Sequence, residues 1–390
     1  MRPGSGDAGG MSVYIKELSL AMAAQGVDVS VFTRRIDEET PEVVEVVPGF
    51  NVIHVTAGPP TPLPIRDLPG LVGEFTESTL AWIEENNRFP DIIHSHYWLS
   101  GWAGVLLKEK LNVPMANSFH TLGRVKDLTR HPEDAPEGVI RTLTEEEVIA
   151  RSDCVVASTP YEFDDLLEHY AADPAALCTS PPGVRHDIFW PGDKTEARRW
   201  TGLGEQPLIL FAGRIQPLKG IDTAIEALAR LRPAAVPAQL VVVGGPSGSG
   251  GQAEAKRLEQ LVLDLNLGRR VHFIPPVAHD QLAMFYRAAD IVIMPSRSET
   301  FGLVAAEAQS CGAPVVAANV GGLPYIIEDQ ESGLLVSGRN PDDYAAAIDS
   351  ILHDPQLSDL LRGGAVENSK RFSWDATVSR LLELYDGISG

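Results

Sequence analysis

The sequence Pro295-Ser-Arg-Ser-Glu-Thr-Phe-Gly-Leu-Val-Ala-Ala-Glu-Ala308 follows the apolar run Ile291–Met294 and predicts a strand, a loop and a helix entered at Gly302. Strands that lead through loops into helices are the repeating unit of parallel α/β sheets. Glu299 falls in the loop, and Glu307 lies about two turns into the helix. The first N–H groups of a helix can bind a phosphate, and carboxylates accept paired hydrogen bonds from sugar hydroxyls. The stretch therefore predicts a nucleotide-sugar pocket.

The same alternation of short β-branched runs and helical patterns extends along the whole chain, which predicts parallel sheets with crossover helices. The strand-like runs of the first half are Val27–Thr33, Asn51–Thr56, Asp91–His94, Met115–Ser118 and Asp153–Ser158. Those of the second half are Leu208–Ala212, Leu240–Val243, Val271–Ile274, Ile291–Met294 and Pro314–Ala317. We therefore expect an α/β protein with two doubly wound, Rossmann-like domains.

The polar stretch Trp190–Arg199 separates the two α/β series and predicts the domain boundary. We expect an N-terminal domain of residues 1–192 and a C-terminal domain of residues 193–372. A last amphipathic helix covers residues 373–390; the sequence leaves open whether it packs back onto the first domain.

The chain opens with a glycine loop, Gly6-Asp-Ala-Gly-Gly10, that leads directly into a helix. In a doubly wound domain such a loop follows a strand, and no strand fits ahead of this one. We therefore expect the first N-terminal strand to be missing, because the start is truncated or because another segment closes the sheet. Glycines allow the backbone to approach a diphosphate, although a flexible tail fits the same composition.

The overall composition limits the partners of the protein. With 44% hydrophobic and 22% charged residues and a formal net charge of −21, the chain is typical of a globular protein without a basic face. Nucleic acid and anionic membranes are therefore not expected partners, whereas a cationic acceptor is allowed. The sequence contains no signal peptide and no run of 18 apolar residues. Three scattered cysteines (Cys154, Cys178 and Cys311) predict neither a disulfide framework nor a zinc site, and favour the cytoplasm.

Basic residues follow the strand-like run that ends near Ala212. Arg214 and Lys219 lie five positions apart, between that strand and the next helix. An arginine can bind phosphate oxygens through two N–H groups, and a lysine supplies a point charge. Because ligands of doubly wound domains lie at the carboxyl ends of strands, we favour a phosphate site over an ordinary solvated loop.

Histidines and cation-bearing residues close two strands of the first half, in the segments His94–Trp98 and Phe119–Lys126. The spacing of their histidines does not fit a metal site, because no carboxylate or cysteine has the companion spacing. His94 and His96 are more typical of structural histidines. His120 and Tyr97 are stronger candidates for polar contact with a sugar or a phosphate, because residues able to bind anions follow His120.

Together with Gly321-Gly-Leu-Pro324, these motifs resemble the retaining glycosyltransferases of family 4, over nearly the whole chain. The branch that transfers to D-inositol 3-phosphate in mycothiol biosynthesis is the most similar, and the sucrose-phosphate synthases are a related branch. The resemblance implies the GT-B architecture, in which two Rossmann-like domains face each other across a cleft. It assigns acceptor binding to the first domain and nucleotide-sugar binding to the second.

The resemblance also implies donor-binding roles. The diphosphate of a UDP-sugar would be held by Gly10, Arg214, Lys219, Leu303 and Val304. Glu307 would bind the ribose, backbone near Val277 the uracil, and Glu299 hydroxyls of the transferred sugar. His120 would touch that sugar near its C6 hydroxyl. Retention in this family is thought to proceed on the front face, so Glu299, His120, Arg214 and Lys219 would act by positioning and charge stabilisation.

The acceptor is less well specified by the resemblance. The implied or suggested acceptor residues are Ser12, Arg66, Tyr97, Thr121, Arg124, Lys126 and Arg141. Ser12 replaces an expected asparagine, and Ile65 with Arg66 replaces an expected lysine. Three acceptors therefore stay open: inositol phosphate, a hexose phosphate, or an unphosphorylated aminocyclitol of the antibiotic type.

Other functions and requirements also stay open at this point. A nucleotide-sugar 2-epimerase shares the architecture, and a non-catalytic sugar-nucleotide-binding protein could keep the basic pair. We expect no required cofactor and no bound metal, with Mg²⁺ stimulation and a homodimer left open. The expected partners are a UDP-sugar donor and a small polar acceptor.

Overall fold

The computed structural model describes residues 9–130, 136–233, 236–248 and 250–389, which form two compact units. We call N-terminal the unit of described residues 14–128, 136–181 and 374–389, and C-terminal the unit of described residues 9–13, 129–130 and 182–373. The chain enters the C-terminal unit after Pro181 and leaves it at Trp374. The division after residues 192 and 372 stays a prediction about separate domains.

The N-terminal unit alternates helices and strands, as the sequence predicted. Its elements up to Pro181 are α1 (Gly10–Ala24, whose first residues are grouped with the C-terminal unit), β1 (Val29–Arg34), β2 (Val43–Val47), β3 (Phe50–Val55), α2 (Val72–Glu85), β4 (Ile93–His96), α3 (Trp98–Leu111), β5 (Met115–Ser118), α4 (Gly123–Thr129), α5 (Val139–Arg151), β6 (Cys154–Ala157), α6 (Pro160–Tyr170) and β7 (Leu177–Thr179). The polar side chains singled out above follow β4 and β5.

The strands of this unit form two sheets rather than one. One sheet has the order β1-β3-β2, with β2 antiparallel to β3, and the other has the parallel order β4-β5-β6-β7. Among the described residues, no strand joins β1 to β4.

The C-terminal unit is built around one six-stranded parallel sheet. Its elements are α7 (Lys194–Thr201), β8 (Leu208–Ala212), α8 (Ile221–Arg230), β9 (Gln239–Val243), α9 (Gly251–Asp264), β10 (Val271–Ile274), α10 (Leu282–Ala288), β11 (Ile291–Met294), α11 (Leu303–Ser310), β12 (Val315–Ala318), α12 (Leu323–Ile326), β13 (Gly333–Val336), α13 (Pro341–His353) and α14 (Pro355–Ser369). Strands β8, β9, β11 and β12 are buried at every position. Helices cover both faces of the sheet, which is why these strands read as continuous apolar runs.

The strand order of this sheet places its ligand site. The order is β10-β9-β8-β11-β12-β13, so successive connections run outward in one direction from β8 and in the other from β11. Adjacent loops diverge at such a reversal point and leave a crevice beyond the carboxyl ends of the strands. The loops after β8 and β11 carry the basic pair and the sequence Pro295–Ala308, respectively.

The last helix, α15 (Trp374–Ser389), belongs to the N-terminal unit. Its buried side chains Val378, Leu381 and Tyr385 share a core cluster with Tyr14 and Leu18 of α1. The four-residue spacing of Tyr14 and Leu18 puts both on the face of α1 that meets α15. Along the described part of the chain, no helix is both long enough and apolar enough to cross a membrane.

All three cysteines are free thiols in the structure. Two of them are nevertheless neighbours: the Sγ atoms of Cys154 on β6 and Cys178 on β7 lie 2.6 Å apart. These parallel strands pair directly, with Val156 opposite Cys178. Their separation of 24 positions gives no hint of this proximity.

Candidate active site

The central feature of the C-terminal unit is an ion pair between the loops after β8 and β11. Lys219 Nζ lies 2.6 Å from Glu299 Oε2, and the two side chains are only 20% and 17% exposed. A partly buried pair of this kind is screened less by salt than a surface pair. The structure therefore brings together two of the residues that the sequence singled out.

Glycines allow these two loops to approach each other. Gly220 has a φ of +66°, and a Cβ added there would lie 2.0 Å from the Pro295 carbonyl oxygen, much closer than van der Waals contact. Gly321 has a φ of +51°, and a Cβ added there would lie 2.0 Å from the carbonyl oxygen of Glu299. The neighbouring Gly322 N–H donates to that same oxygen over 2.8 Å. The glycine pair therefore fixes the backbone of Glu299 from the side of β12.

Helix α11 begins directly behind the ion pair, after Gly302 with a φ of +103°. Leu303 and Val304 are its first residues, so their N–H groups belong to the turn that lacks intrahelical acceptors. Gly10 lies near this point, since a Cβ on it would be 3.6 Å from Leu303 Cδ1. The arrangement offers backbone N–H groups and a positive helix terminus to an anion.

The glycine loop at the start of the chain contacts the predicted phosphate-binding arginine. A Cβ on Gly9 would lie 3.1 Å from both Cζ and Nε of Arg214, so a larger residue would require the guanidinium to shift by a few tenths of an ångström. Residues 6–8 of that loop lie outside the described residues. For the part that is described, the loop packs on Arg214.

Glu307 is buried and engaged through both carboxylate oxygens. His279 Nε2 lies 2.6 Å from its Oε1, and the hydroxyl of Tyr286 donates to its Oε2 over 3.1 Å. Burial and the adjacent Glu307 raise the pKa of Tyr286 well above its usual value, so the tyrosine remains a donor. A carboxylate oxygen can accept two hydrogen bonds, so Glu307 can also accept bonds from the two hydroxyls of a diol. Val277 lies two residues before His279 and packs against the core of this unit.

The N-terminal unit collects a second group of predicted residues around Arg141. Its guanidinium Nη2 donates to the carbonyl oxygen and the hydroxyl of Thr121, over 3.0 and 3.1 Å. The Tyr97 ring centroid is 5.2 Å from Arg141 Cζ, within the range of a cation–π contact. Three residues separated by up to 44 positions, 97 to 141, therefore form one polar group.

Two residues beside this group have unusual backbone geometry. Tyr97 has a φ of +81° and His120 a φ of +61°, in the region that side chains other than glycine rarely adopt. Each such residue costs about 1–3 kcal/mol, and such strain concentrates at functional sites. The strain falls where β4 and β5 end, which is where the sequence placed the candidate contacts.

His120 belongs to a row of three partly buried histidines. Its Nε2 lies 3.1 Å from Nδ1 of His96, and the rings of His96 and His94 are 4.4 Å apart. Burial lowers the pKa of His120 to about 4 and that of His94 to about 3. These imidazoles are therefore neutral at pH 7. Among the described residues, no three His, Cys, Asp or Glu side chains are arranged to hold a metal ion.

The contacts of the remaining predicted acceptor residues do not by themselves indicate an acceptor site. Arg66 is 84% exposed and lies 3.7 Å from its neighbour Asp67. Ser12 is in the first turn of α1, where its N–H donates to Gly9. Arg124 pairs with Glu146, and Lys126 pairs with Glu137.

Comparisons with known proteins agree with the motifs. Residues 9–183 match the model described as "Glycosyl transferase 4-like domain", and residues 193–368 match "Glycosyl transferases group 1". A D-inositol 3-phosphate glycosyltransferase of Actinosynnema mirum is 47% identical over 98% of this chain and 93% of its own length. The chain belongs to glycosyltransferase family 4. This confirms the family that the sequence resembled.

Solved structures of other glycosyltransferases confirm the GT-B fold. Sucrose-phosphate synthase from Thermosynechococcus elongatus superposes with a TM-score of 0.92 at 34% identity, over 99% of this chain and 95% of its own. HepE of Anabaena, solved with UDP and glucose, has a TM-score of 0.78 at 19% identity, over 98% of both chains. The second likeness concerns the fold alone.

Sequence reasoning missed several groups that bind the predicted residues within each unit. His279 and Tyr286 bind Glu307, and Glu137 and Glu145 bind Arg141. His279 could have been noticed, because it follows β10 at the carboxyl edge of the sheet, two residues after Val277. The others are ordinary helical or loop residues whose role depends on long-range packing.

Proposed function

We propose that this family 4 glycosyltransferase moves a hexosyl group, of the glucosyl or N-acetylglucosaminyl type, from a UDP-sugar to an inositol phosphate with retention. The Lys219–Glu299 ion pair at the reversal point of the C-terminal sheet carries the proposal. In this pair Lys219 is a cation that can bind a diphosphate, and Glu299 is a carboxylate that can accept hydrogen bonds from sugar hydroxyls. The relatives at 43–47% identity that are named D-inositol 3-phosphate glycosyltransferases support the acceptor.

For the donor, we assign the diphosphate to Arg214, Lys219 and the N–H groups of Gly10, Leu303 and Val304. Glu299 accepts hydrogen bonds from hydroxyls of the transferred sugar when Lys219 leaves it to bind the phosphate. Glu307 accepts the ribose hydroxyls, and its bonds from His279 and Tyr286 fix the carboxylate for that purpose. Backbone near Val277 is assigned to the uracil.

For the acceptor, we assign the phosphate to Tyr97, Thr121 and Arg141, which the structure already groups together. Lys126 adjoins this group through Glu137, a shared partner of Lys126 and Arg141. The contributions of Ser12, Arg66 and Arg124 stay predictions.

The reaction needs no protein base in this scheme. The bond between the anomeric carbon and the leaving phosphate breaks, and the acceptor hydroxyl oxygen bonds to that carbon on the same face. The departing phosphate accepts the proton of the hydroxyl. Arg214, Lys219 and the α11 terminus stabilise the departing charge. His120 is neutral because of its burial, so we assign it hydrogen bonding to the sugar and no acid role. We propose no required cofactor, and a comparison of turnover with Mg²⁺ and with EDTA tests this.

A UDP-release assay tests the proposed function. UDP-glucose and UDP-N-acetylglucosamine would each be offered with inositol phosphate, fructose 6-phosphate, free inositol and an aminocyclitol. We expect turnover with inositol phosphate and an α-linked product by NMR from these α-configured donors. Preference for fructose 6-phosphate or the aminocyclitol would overturn the acceptor, and a β-linked product would overturn retention.

The same assay separates the alternative functions. A nucleotide-sugar 2-epimerase would yield an altered sugar from the donor without any acceptor. A non-catalytic binding protein would bind UDP tightly and release none from any donor. Either result would contradict the proposal.

A further inference from the structure

Three cationic side chains lie in and around the polar group of Tyr97, Thr121 and Arg141, more than the binding of a neutral sugar requires. Arg124 and Lys126 on α4 and Arg141 on α5 lie within one unit, and each is paired with a carboxylate. The three carboxylates are Glu146, Glu137 and Glu145. The positive charge of the group is therefore compensated within the protein, and a phosphate must compete with a resident anion.

The guanidinium of Arg141 donates from all three of its nitrogens, through four of its five N–H groups. Its Nε donates to Glu145 over 2.8 Å, and its Nη1 donates to Glu137 over 2.9 Å. Its Nη2 donates to both oxygens of Thr121. A phosphate that accepts a bidentate pair of hydrogen bonds from this guanidinium must displace one of these partners, because the single N–H group left on Nη1 cannot supply both bonds.

Glu145 is not the partner that leaves. It is completely buried on α5, and its oxygens also accept from the Gly123 N–H over 3.0 and 3.1 Å and from the Tyr170 hydroxyl. Removing Arg141 from it would leave a buried carboxylate without its cation, which is strongly destabilising.

Glu137 occupies a different position. It precedes Gly138, the residue at the N-cap of α5, so it stands on the connection between α4 and α5. Its Oε1 accepts from Lys126 and its Oε2 accepts from Arg141, so one carboxylate bridges two cations. Its side chain is 19% exposed, which allows exchange with solvent.

The charge state of Glu137 supports this bridging role. Burial by itself would raise its pKa, but the hydrogen bonds and charges of Lys126 and Arg141 outweigh that effect and hold the pKa below its usual value. The carboxylate is therefore ionised at neutral pH. It presents two anionic oxygens to the same cations that an acceptor phosphate would use.

We propose that Glu137 is a specificity-determining residue that occupies the place of the acceptor phosphate and must be displaced from Lys126 and Arg141 before that phosphate binds. A phosphate near −2 charge with three acceptor oxygens can replace a carboxylate on these cations, whereas a neutral polyol cannot. The inference rests on the proposed function only for the identity of the acceptor.

Direct binding of inorganic phosphate to the free protein tests the proposal, by calorimetry at fixed ionic strength. Glu137→Gln keeps the shape of the side chain and removes its charge, so we expect phosphate to bind about tenfold more tightly, as expected for the loss of one competing ion pair. Glu147→Gln is the matched control, because Glu147 lies on the exposed face of α5, 59% exposed and paired with Arg151. It removes the same charge and should change phosphate binding less than twofold.

A second variant covers the case in which Glu137→Gln does not fold. Glu137→Asp keeps the charge but shortens the reach, so it cannot bridge both cations and should give intermediate phosphate affinity. Unchanged or weaker phosphate binding in both variants would overturn the proposal and make Glu137 a support for Lys126 and Arg141. Absence of phosphate binding by the wild type and both variants would overturn it as well.

The acceptor reaction gives an independent readout. If inositol phosphate is the acceptor, Glu137→Gln should lower its KM about tenfold relative to Glu147→Gln, with kcat little changed. Failure of the wild type to use any acceptor would contradict the proposed function, while the phosphate titration would still decide the role of Glu137.

Discussion

At the scale of single residues, the Lys219–Glu299 pair makes the most direct prediction. Lys219→Ala and Glu299→Ala should each lower kcat/KM by a factor equivalent to about 3 kcal/mol of transition-state stabilisation. Each variant removes a group that stabilises developing charge or positions the sugar. Glu367→Ala is the control, since Glu367 pairs with Lys370 on the surface of the same unit. Steady-state kinetics and thermal unfolding would be measured together. Wild-type activity in both site variants would show that the ion pair is not part of the active site.

The lowered pKa values of the partly buried histidines predict how the free energy of unfolding depends on pH. Burial lowers the pKa of His120 to about 4 and that of His94 to about 3, below the usual value near 6.5. The unfolded state therefore binds more protons, and the free energy of unfolding should fall as pH drops from about 6.5 toward 4. Each histidine contributes about 1.4 kcal/mol per pH unit in that window.

Denaturant titrations between pH 5 and 6.5 check this prediction in a range where most carboxylates stay ionised. His94→Gln should flatten the slope of unfolding free energy against pH, by about the contribution of one histidine. A slope in His94→Gln equal to that of the wild type would mean that His94 is protonated in the folded state.

At the scale of elements, the close approach of the loops after β8 and β11 depends on Gly220. Gly220→Ala should destabilise the C-terminal unit by about 2–4 kcal/mol, because the added Cβ meets the Pro295 carbonyl and the φ is positive. Gly202→Ala separates the two effects, since Gly202 has a φ of +71° with nothing within 4 Å of the added Cβ. It should cost only the conformational term, about 1 kcal/mol. Chemical denaturation of both variants measures the difference, and equal losses would exclude the steric contribution.

The elements also show what the sequence could and could not predict. The ten predicted strands all correspond to strands of the structure. Strands β8, β9, β11 and β12 were the clearest, because strands buried on both faces are continuous apolar runs. Strands β2, β7 and β13 were not predicted. β2 is an exposed antiparallel edge strand, β7 has three residues, and β13 begins with glycine and leucines, which are weak strand formers.

The site was partly predictable for a related reason. Lys219 and Glu299 follow buried strands at the carboxyl edge of a parallel sheet, where topology brings separate loops together. Glu137, Glu145 and Tyr286 lie in no such position and became visible only through their contacts. Likewise, the proximity of Cys154 and Cys178 follows from the register of β6 and β7, which spacing in the sequence does not encode.

At the scale of the whole molecule, the N-terminal unit needs the far end of the chain. Deletion of residues 374–390 would uncover the α1 surface formed by Tyr14 and Leu18, which α15 normally buries. We expect this truncation to lose several kcal/mol of stability, since each buried large side chain contributes about 1.5–3 kcal/mol. Soluble yield and the first thermal transition would be compared with those of a chain that lacks only Ser389 and Gly390. A truncated protein as stable as that control would show that α15 is dispensable.

The discontinuity of the N-terminal unit has a consequence for how the protein is made. A ribosome that has finished Pro181 must still synthesise residues 182–373 before Trp374 appears. At about 5–20 residues per second, that interval lasts on the order of 10–40 s, during which the first half of the chain cannot complete its core. The C-terminal unit can therefore complete its core before the N-terminal unit does. Chaperone dependence during translation should accordingly concentrate on the early half.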